Sequence, residues 1–490
     1  MKRKWVAFLM ACSLLTGAGG TYVGMSWLKK DVENHSELER KSAQYGTEKS
    51  STTDTSEDEL KKVEQAYDLI LNEFVEKVEK EQLVEGAIQG MLSTLEDPYS
   101  VYMDKETSQQ FNDSLDSSFE GIGAEVSMVD GKVIIVSPFK DSPAEKSGLK
   151  PKDQILSIDG ESIEGLDLYE ATLKIRGEKG TVVKLEILRN GLIEPITVEV
   201  VRDEIPYETV FSDIMKENDK KIGYIELTSF SKNTAADFKK HLKTLEKKKI
   251  DGLLIDVRGN PGGLLSSVEE ILKELVTDSK PYVQTETRNG EKSRYFSSLK
   301  KPKSYPVAVL IDNGSASASE IMAGALKEAG GYDLIGEKTF GKGTVQQEVQ
   351  MGDGSSIKLT LLKWLTPDGN WIHKKGIEPT IEVSQPEIFH VHPVQVEKEL
   401  KKDMNNEQVK NAQEILKGLG FEPGRVDGYF SEQTETAVRA FQKQKGLNTS
   451  GTIDEKTAGA LEETVFEEVR NRKKRKNDIQ LNTAVKVLSQ

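Results

Sequence analysis

Two segments of this chain carry residue types that could do chemistry together. The first is Gly314-Ser315-Ala316-Ser317-Ala318-Ser319-Glu320, three hydroxyls at alternating positions, and the second is Phe340-Gly341-Lys342-Gly343-Thr344-Val345-Gln346, a lysine between glycines. A serine hydroxyl is a poor nucleophile until a base accepts its proton. Histidine is scarce here: His35 lies in a polar stretch, His390 and His392 in a polar connector, and His241 among Lys239, Lys240 and Lys243 on a predicted surface helix. His373 stays a candidate without an obvious partner acid. Lys342 is the better one, because its flanking glycines allow a tight loop and Phe340, Val345 and Leu334 suggest shelter. A lysine base must be neutral near neutral pH, and desolvation pushes its proton affinity in that direction. The residues point to serine-lysine hydrolysis without distinguishing Ser315, Ser317 and Ser319. Neither a GxSxG elbow nor an HExxH zinc helix occurs, so no metal and no cofactor are expected.

These residues need rigid elements behind them. The apolar run Val307–Ile311 reads as a strand and residues 321–326 as a helix, so a hydroxyl between them lies at a helix N-terminus, where unpaired N–H groups favour developing negative charge. Strands over 222–227 and 253–257 and helices over 235–245, from 264 and after 319 complete an alternation that implies an α/β layer with sites at the strand C-terminal ends. The loop Arg258-Gly259-Asn260-Pro261-Gly262-Gly263 and the serine run both fall at such ends.

Between about residues 119 and 203 the pattern changes to short strands, at 133–136, 155–158 and 183–187, with Asp130-Gly131, Asp159-Gly160 and Asn190-Gly191 as turns. Residues 141–149 read as a short capped helix ended by Gly148. This block resembles a PDZ domain: Gly121-Ile122-Gly123-Ala124 stands where the carboxylate-binding loop belongs, followed by Ser142-Pro143-Ala144, Gly148-Leu149 and Asp153-Gln154-Ile155-Leu156. The resemblance implies that backbone N–H groups of this loop take a peptide's terminal carboxylate while the peptide adds as a strand. Residues 406–463 form a second module, with Val409, Ala412, Ile415 and Leu416 on one helical face, Ala437, Val438 and Phe441 on another, and a turn at Val426-Asp427-Gly428-Tyr429-Phe430. It resembles the peptidoglycan-binding repeat of cell-wall enzymes, which implies peptidoglycan as a partner.

At 490 residues the chain exceeds one core. A net charge of −14 argues against nucleic acid as a partner, and the basic run from Arg470 to Lys476 reads as solvated surface. After Lys2, Arg3 and Lys4, no charge occurs from Trp5 to Leu28, and Lys29 and Lys30 follow. Residues 1–30 are therefore expected to be a secretory signal or a retained membrane anchor, placing the body outside the membrane. The single cysteine, Cys12, lies in this segment, and a cysteine-free exported body suits a bacterial cell envelope. Residues 31–55 read as a disordered tether and 56–118 as a helical region, opened by Ser56 and Glu59 at capping-box spacing and continued by a second helix over 83–95. A connector spans 386–405. Residues 464–490 hold the basic run and a last helix whose Leu481, Ala484, Val485 and Leu488 could dock on the body or on a second subunit.

From about residue 57 to 385 the chain resembles the carboxy-terminal processing, or tail-specific, proteases. The motifs Asp256-Val257-Arg258-Gly259-Asn260-Pro261-Gly262-Gly263, Ser315-Ala316-Ser317-Ala318-Ser319-Glu320 and Gly336-Glu337-Lys338-Thr339-Phe340-Gly341-Lys342-Gly343-Thr344-Val345-Gln346 stand in family order. The resemblance implies a multidomain α/β protein with a crotonase-like protease core at 204–385, an inserted β-rich α+β PDZ domain at 119–203 and a small all-α C-terminal module. It assigns the nucleophile to Ser317, the base to Lys342 and the orientation of that base to Gln346, one helical or loop turn beyond. Ala318 and either Gly262 or Gly263 would donate to the oxyanion, Asp256 and Arg258 would position that loop, and Arg176 could report peptide binding at the PDZ domain. Expected partners are proteins with accessible C-termini, peptidoglycan, the membrane through the N-terminal segment, and a second copy in a homodimer. The competing readings are a wall-tethered PDZ scaffold with an inert body, and an acyl-CoA enzyme on the related fold, which export and the PDZ insertion argue against.

Overall fold

The computed structural model describes residues 56–490 except 117, 130, 167, 190–193, 397 and 471–477. The apolar N-terminal segment, the tether, the turn residues Asp130, Asn190 and Gly191, and all of the basic run but Arg470 lie outside the described residues. Among the described residues no helix is long and apolar enough to cross a membrane.

The core is a six-stranded sheet in which Lys220–Leu227, Gly252–Asp256, Val307–Ile311, Asp333–Gly336 and Ile381–Glu382 run parallel, with Val210–Glu217 antiparallel at one edge. Gly252–Asp256 and Val307–Ile311 are buried throughout, as the near-continuous apolar runs of strands covered on both faces require. Alternate residues serve alternate faces. Leu253, Ile255 and Val257 pack with helices Thr234–Lys247, Leu265–Leu272 and Ala318–Glu328. Leu254, Ala308 and Leu310 pack with Leu481, Ala484, Val485 and Leu488 of the last helix, Ile479–Leu488. The amphipathic tail thus covers the chain's own six-stranded sheet.

A second, five-stranded antiparallel sheet lies outside the strand-helix alternation read from the sequence. Its long strand Ser356–Leu365 pairs with Thr344–Gln350, with Pro281–Glu286, and with Val101–Met103 from the N-terminal region. The helices Ser56–Glu73 and Lys80–Ser93 precede that last strand, the second one starting three residues earlier than expected.

The inserted domain enters and leaves through one ribbon, Ser118–Gly121 paired with Asp203–Pro206. Its sheet places Ala124–Val129 at an edge, paired among the described residues with Lys132–Pro138, and the helix Leu168–Ile175 packs beside that edge strand. The short helix Pro143–Lys146 is capped by the Ser142 hydroxyl, which accepts from Glu145 N at 3.2 Å. The C-terminal module packs helices Glu407–Gly418, Glu432–Lys445 and Glu455–Val465 around Val409, Ile415, Leu416, Phe430, Val438 and Phe441.

Candidate active site

The serine run leaves the sheet at Asp312, whose Oδ1 accepts from Gly259 N at 2.8 Å and Gly314 N at 2.9 Å. This carboxylate seats the glycine loop on the serine loop, and a Cβ on Gly314 would lie 2.8 Å from Gly259 Cα. The three serines then separate by environment. Ser315 and Ser319 are both 0% exposed, their hydroxyls donating to Val257 O and Asn260 O, each at 2.8 Å. Ser317 is half-buried, at the N-cap of Ala318–Glu328, with φ 54° and ψ −113°. A non-glycine residue in that region is strained by about 1–3 kcal/mol and is held there by its surroundings.

The candidate oxyanion donors also separate. Ala318 is the first helical residue, so its N–H has no intrahelical acceptor. Gly262 is buried and its N–H donates to Asn260 Oδ1 at 2.8 Å. Gly263 is exposed and bridges Phe230 through Phe230 N to Gly262 O, 2.9 Å, and Leu264 N to Phe230 O, 2.6 Å, a pattern that uses the amides on either side of its own. Of the two glycine candidates, Gly263 is thus the one whose N–H is not taken by Asn260. Gly262, at φ 108°, supplies clearance: a Cβ there would stand 2.9 Å from Ser317 Cβ.

The lysine loop is joined to the serine loop by Glu320, which is 0% exposed. Its Oε2 accepts from Ser317 N at 2.9 Å and Lys342 N at 2.7 Å, and its Oε1 from Gly341 N at 2.7 Å and Thr339 Oγ1 at 2.6 Å. Glu320 stood in the quoted motif, but no role could be read from its position alone. The Lys342 side chain is half-buried, with Nζ 4.7 Å from the centre of the Tyr99 ring. Burial, helped by the positive charge of Lys358, holds its proton affinity below the ordinary lysine value against the opposing pull of Asp97 and Glu320.

Three details of this half differ from expectation. Phe340 is 57% exposed and Leu334 belongs to the sheet core, so shelter at Lys342 comes from Tyr99 instead. Gln346 lies in the strand Thr344–Gln350, not one turn of helix or loop beyond the lysine, and its Nε2 donates to Thr344 Oγ1 at 3.0 Å and Thr360 Oγ1 at 3.1 Å. Neither of these bonds is to Lys342. His373 does have acids nearby. It stacks on Trp371 at 5.2 Å, accepts from Gly343 N at 3.4 Å, and burial and Lys374 lower its proton affinity against Asp97 and Glu320.

Arg258 is a clasp of another kind. Its guanidinium binds Asp256 at 2.7 Å and, from the C-terminal helix, Asp478 at 2.8 Å and Gln480 at 3.0 Å. In the PDZ domain, the carbonyls of Ile122 and Gly123 accept from Ala144 N and Phe139 N, and Gly123 has φ 71° with room for no Cβ, since one would meet Ser142 Cβ at 2.6 Å. Gly121 and Ala124 flank them beside the open edge strand. Arg176 follows the PDZ helix, its guanidinium 5.1 Å from the Phe119 ring centre and 3.8 Å from Asp113, and its buried Nε has no partner among the described residues. Arg176, Thr172, Tyr207 and Thr228 line a cavity of about 460 Å³ between that helix and the segment that leads into the six-stranded sheet.

Comparison with known proteins matches residues 221–383 to peptidase family S41, 121–200 to a PDZ domain, 405–461 to a peptidoglycan binding domain, and 14–107 to the N-terminal domain of the activating protease CtpB. The carboxy-terminal processing protease CtpB of Bacillus subtilis is 58% identical over 100% of this chain and 99% of its own. CtpA of the same organism is 41% identical over 90% and 92%. Among solved structures, the photosystem II D1 C-terminal processing protease aligns at 26% identity over 68% of this chain and 94% of its own, with a TM-score of 0.41. With the Bacillus subtilis CtpB 58% identical along its whole length, the chain belongs to the carboxy-terminal processing proteases of peptidase family S41 and carries a PDZ domain and a C-terminal peptidoglycan-binding domain.

Proposed function

We propose that this protease is an extracytoplasmic serine endopeptidase in which Ser317 attacks the peptide carbonyl and Lys342 takes its proton. The supporting observation is the Glu320 carboxylate, which gathers the backbone amides of Ser317 and Lys342 onto one oxygen beside the half-buried serine. The N–H groups of Ala318 and Gly263 stabilise the tetrahedral oxyanion, each donor of this kind contributing about 3 kcal/mol. The amine leaves with the proton held by Lys342, and water then hydrolyses the acyl-enzyme with the same lysine as base. Gln346 acts indirectly, through the Thr344 and Thr360 hydroxyls that its amide holds.

The PDZ domain captures a substrate's C-terminus: the peptide adds to Ala124–Val129, and the amides of Gly121–Ala124 receive its carboxylate. Arg176, between that loop and the core, reports the bound peptide. The peptidoglycan-binding domain keeps the enzyme at the cell wall, and the N-terminal apolar segment takes the body across the membrane, as a signal or as an anchor that stays. The enzyme works as a homodimer. Incubation with an unfolded protein tests the chemistry: the parent should cut, and Ser317→Ala and Lys342→Ala should lose at least about 10³-fold of the rate. Cutting at the parental rate by either variant would refute it. Peptide stimulation that survives unchanged in Arg176→Ala would remove the sensor.

A further inference from the structure

Lysine as a base faces two opposed demands. It must be neutral at rest, yet its ammonium must be stabilised as the serine proton arrives. The residues that answer the second demand come from far upstream in the chain. The turn Asp97-Pro98-Tyr99-Ser100 follows the helix Lys80–Ser93 and lays the Tyr99 ring against Lys342, 4.7 Å from Nζ to ring centre. The same ring meets His373 in an edge-on arrangement, the ring centres 6.3 Å apart.

The turn is fixed at several points. Asp97 accepts from Tyr99 N at 3.2 Å and from Ser100 Oγ at 2.7 Å. Thr360 N donates to the buried Ser100 Oγ at 3.1 Å, and Thr360 Oγ1 accepts from Gln346 Nε2 at 3.1 Å. The next residues, Val101–Met103, pair with Lys358, Ile357 and Ser356, so the turn cannot drift without breaking the edge of the sheet. An unbroken chain of bonds therefore runs from Gln346 through Thr360 and Ser100 to Asp97.

We propose that Tyr99 is a positioning residue for the base: its ring, held by the Asp97–Ser100 turn, caps Lys342, keeps water off it and offers a π face to the transient ammonium. The proposal rests on Lys342 being the base. A ring face near a desolvated cation is attractive, and the Asp97 carboxylate adds to that pull. The charges acting on Nζ come from three packed elements: Asp97 from the turn, Glu320 from the serine helix and Lys358 from the long strand; His373, with Lys374 acting on it, lies against the Tyr99 ring and is held towards its neutral form. Asp97 and Glu320 favour the ammonium, and Lys358 opposes it.

The test compares Tyr99→Phe, Tyr99→Leu and Asp97→Asn in the full chain, measuring kcat and KM on dye-labelled casein across pH, beside Ser317→Ala and Lys342→Ala. Tyr99→Phe keeps the ring and should stay within about threefold of the parent, whereas Tyr99→Leu should lose at least about tenfold in kcat with little change in KM. Asp97→Asn removes a charge that holds the proton on Lys342, so the rising limb of its kcat profile should move to lower pH. A parental kcat in Tyr99→Leu, or an unmoved limb in Asp97→Asn, overturns the proposal. The second variant decides the matter if the first does not fold. Inactive Ser317→Ala and Lys342→Ala beside parental Tyr99→Leu would reject this role alone, while cutting by Lys342→Ala would reject the reading beneath it.

Discussion

The two halves of the site are built in opposite ways. The serine half is local to one sheet: neighbouring parallel strands end together, Asn260 and the hydroxyls of Ser315 and Ser319 lock their loops by buried bonds to backbone, and Asp312 adds an exposed one to Gly259 N. The lysine half is assembled from distant pieces: a glycine loop, the Trp371 and His373 segment, and a turn that precedes the PDZ insertion. Glu320 belongs to both, and the Phe340 amide also crosses between them, donating to Ser315 O at 3.1 Å. A preformed oxyanion site and helix N-terminus on one side thus meet a base on the other whose surroundings depend on how the N-terminal region docks. The first half is rigid by construction, and the second can be tuned.

Glu320 is the residue whose loss should erase the comparison. Its two oxygens accept four donors, so Glu320→Gln must turn an amide N–H₂ towards either Ser317 N and Lys342 N or Gly341 N and Thr339 Oγ1. Each buried donor left unpaired costs about 1–3 kcal/mol, so urea unfolding should show a loss of about 3 kcal/mol or more, and cutting should fall below about 1% of the parent. Near-parental stability and activity in this isosteric variant would mean that the two loops hold themselves without it.

Legibility followed the same division. The parallel strands and their helices could be read because each is a continuous apolar run or a period of 3.6, and the glycine and serine loops then fall at strand ends by rule. Even so, nothing in three alternating serines says which is accessible; that depends on whether Val257 O and Asn260 O lie opposite Ser315 and Ser319. Tyr99, Asp97 and Thr360 carry no local signal, because their relation to Lys342 exists only through the pairing of Val101–Met103 with the far end of the protease core. Gln346 differs in its element alone: it lies in the strand Thr344–Gln350 and not one helical or loop turn beyond the lysine, which the spacing of four does not reveal. The C-terminal helix could be read as amphipathic, while its docking face required Arg258 to meet Asp478 and Gln480.

A smaller effect should separate the serines themselves. Ser319→Ala deletes one buried donor and leaves Asn260 O still accepting from Ala316 N, so a stability loss of about 1 kcal/mol is expected with most of the cutting activity kept. Ser315→Ala should cost somewhat more, since its hydroxyl donates to Val257 O and also accepts from Asp312 N at 3.1 Å. Thermal unfolding beside casein cleavage measures both. Loss of all cleavage in Ser319→Ala with the fold intact would contradict the division of roles between these hydroxyls.

The finest probe leaves both frameworks standing and changes one charge. Lys358 sits on the long strand, half-buried with its ammonium 4.7 Å from the Phe111 ring centre, and its positive charge opposes protonation of Lys342. Lys358→Met keeps the length and apolar stem of the side chain but removes that opposition. The proton should then be held more tightly on Lys342. Because the neutral amine is the active form, the rising limb of the kcat profile should move to higher pH, opposite to the shift expected for Asp97→Asn. Activity well above the limb should change little, since the fraction of neutral base there is already near one. Equal shifts in the same direction from the two variants would mean that the limb does not report Lys342, and the tunable half of the site would need another titrating group.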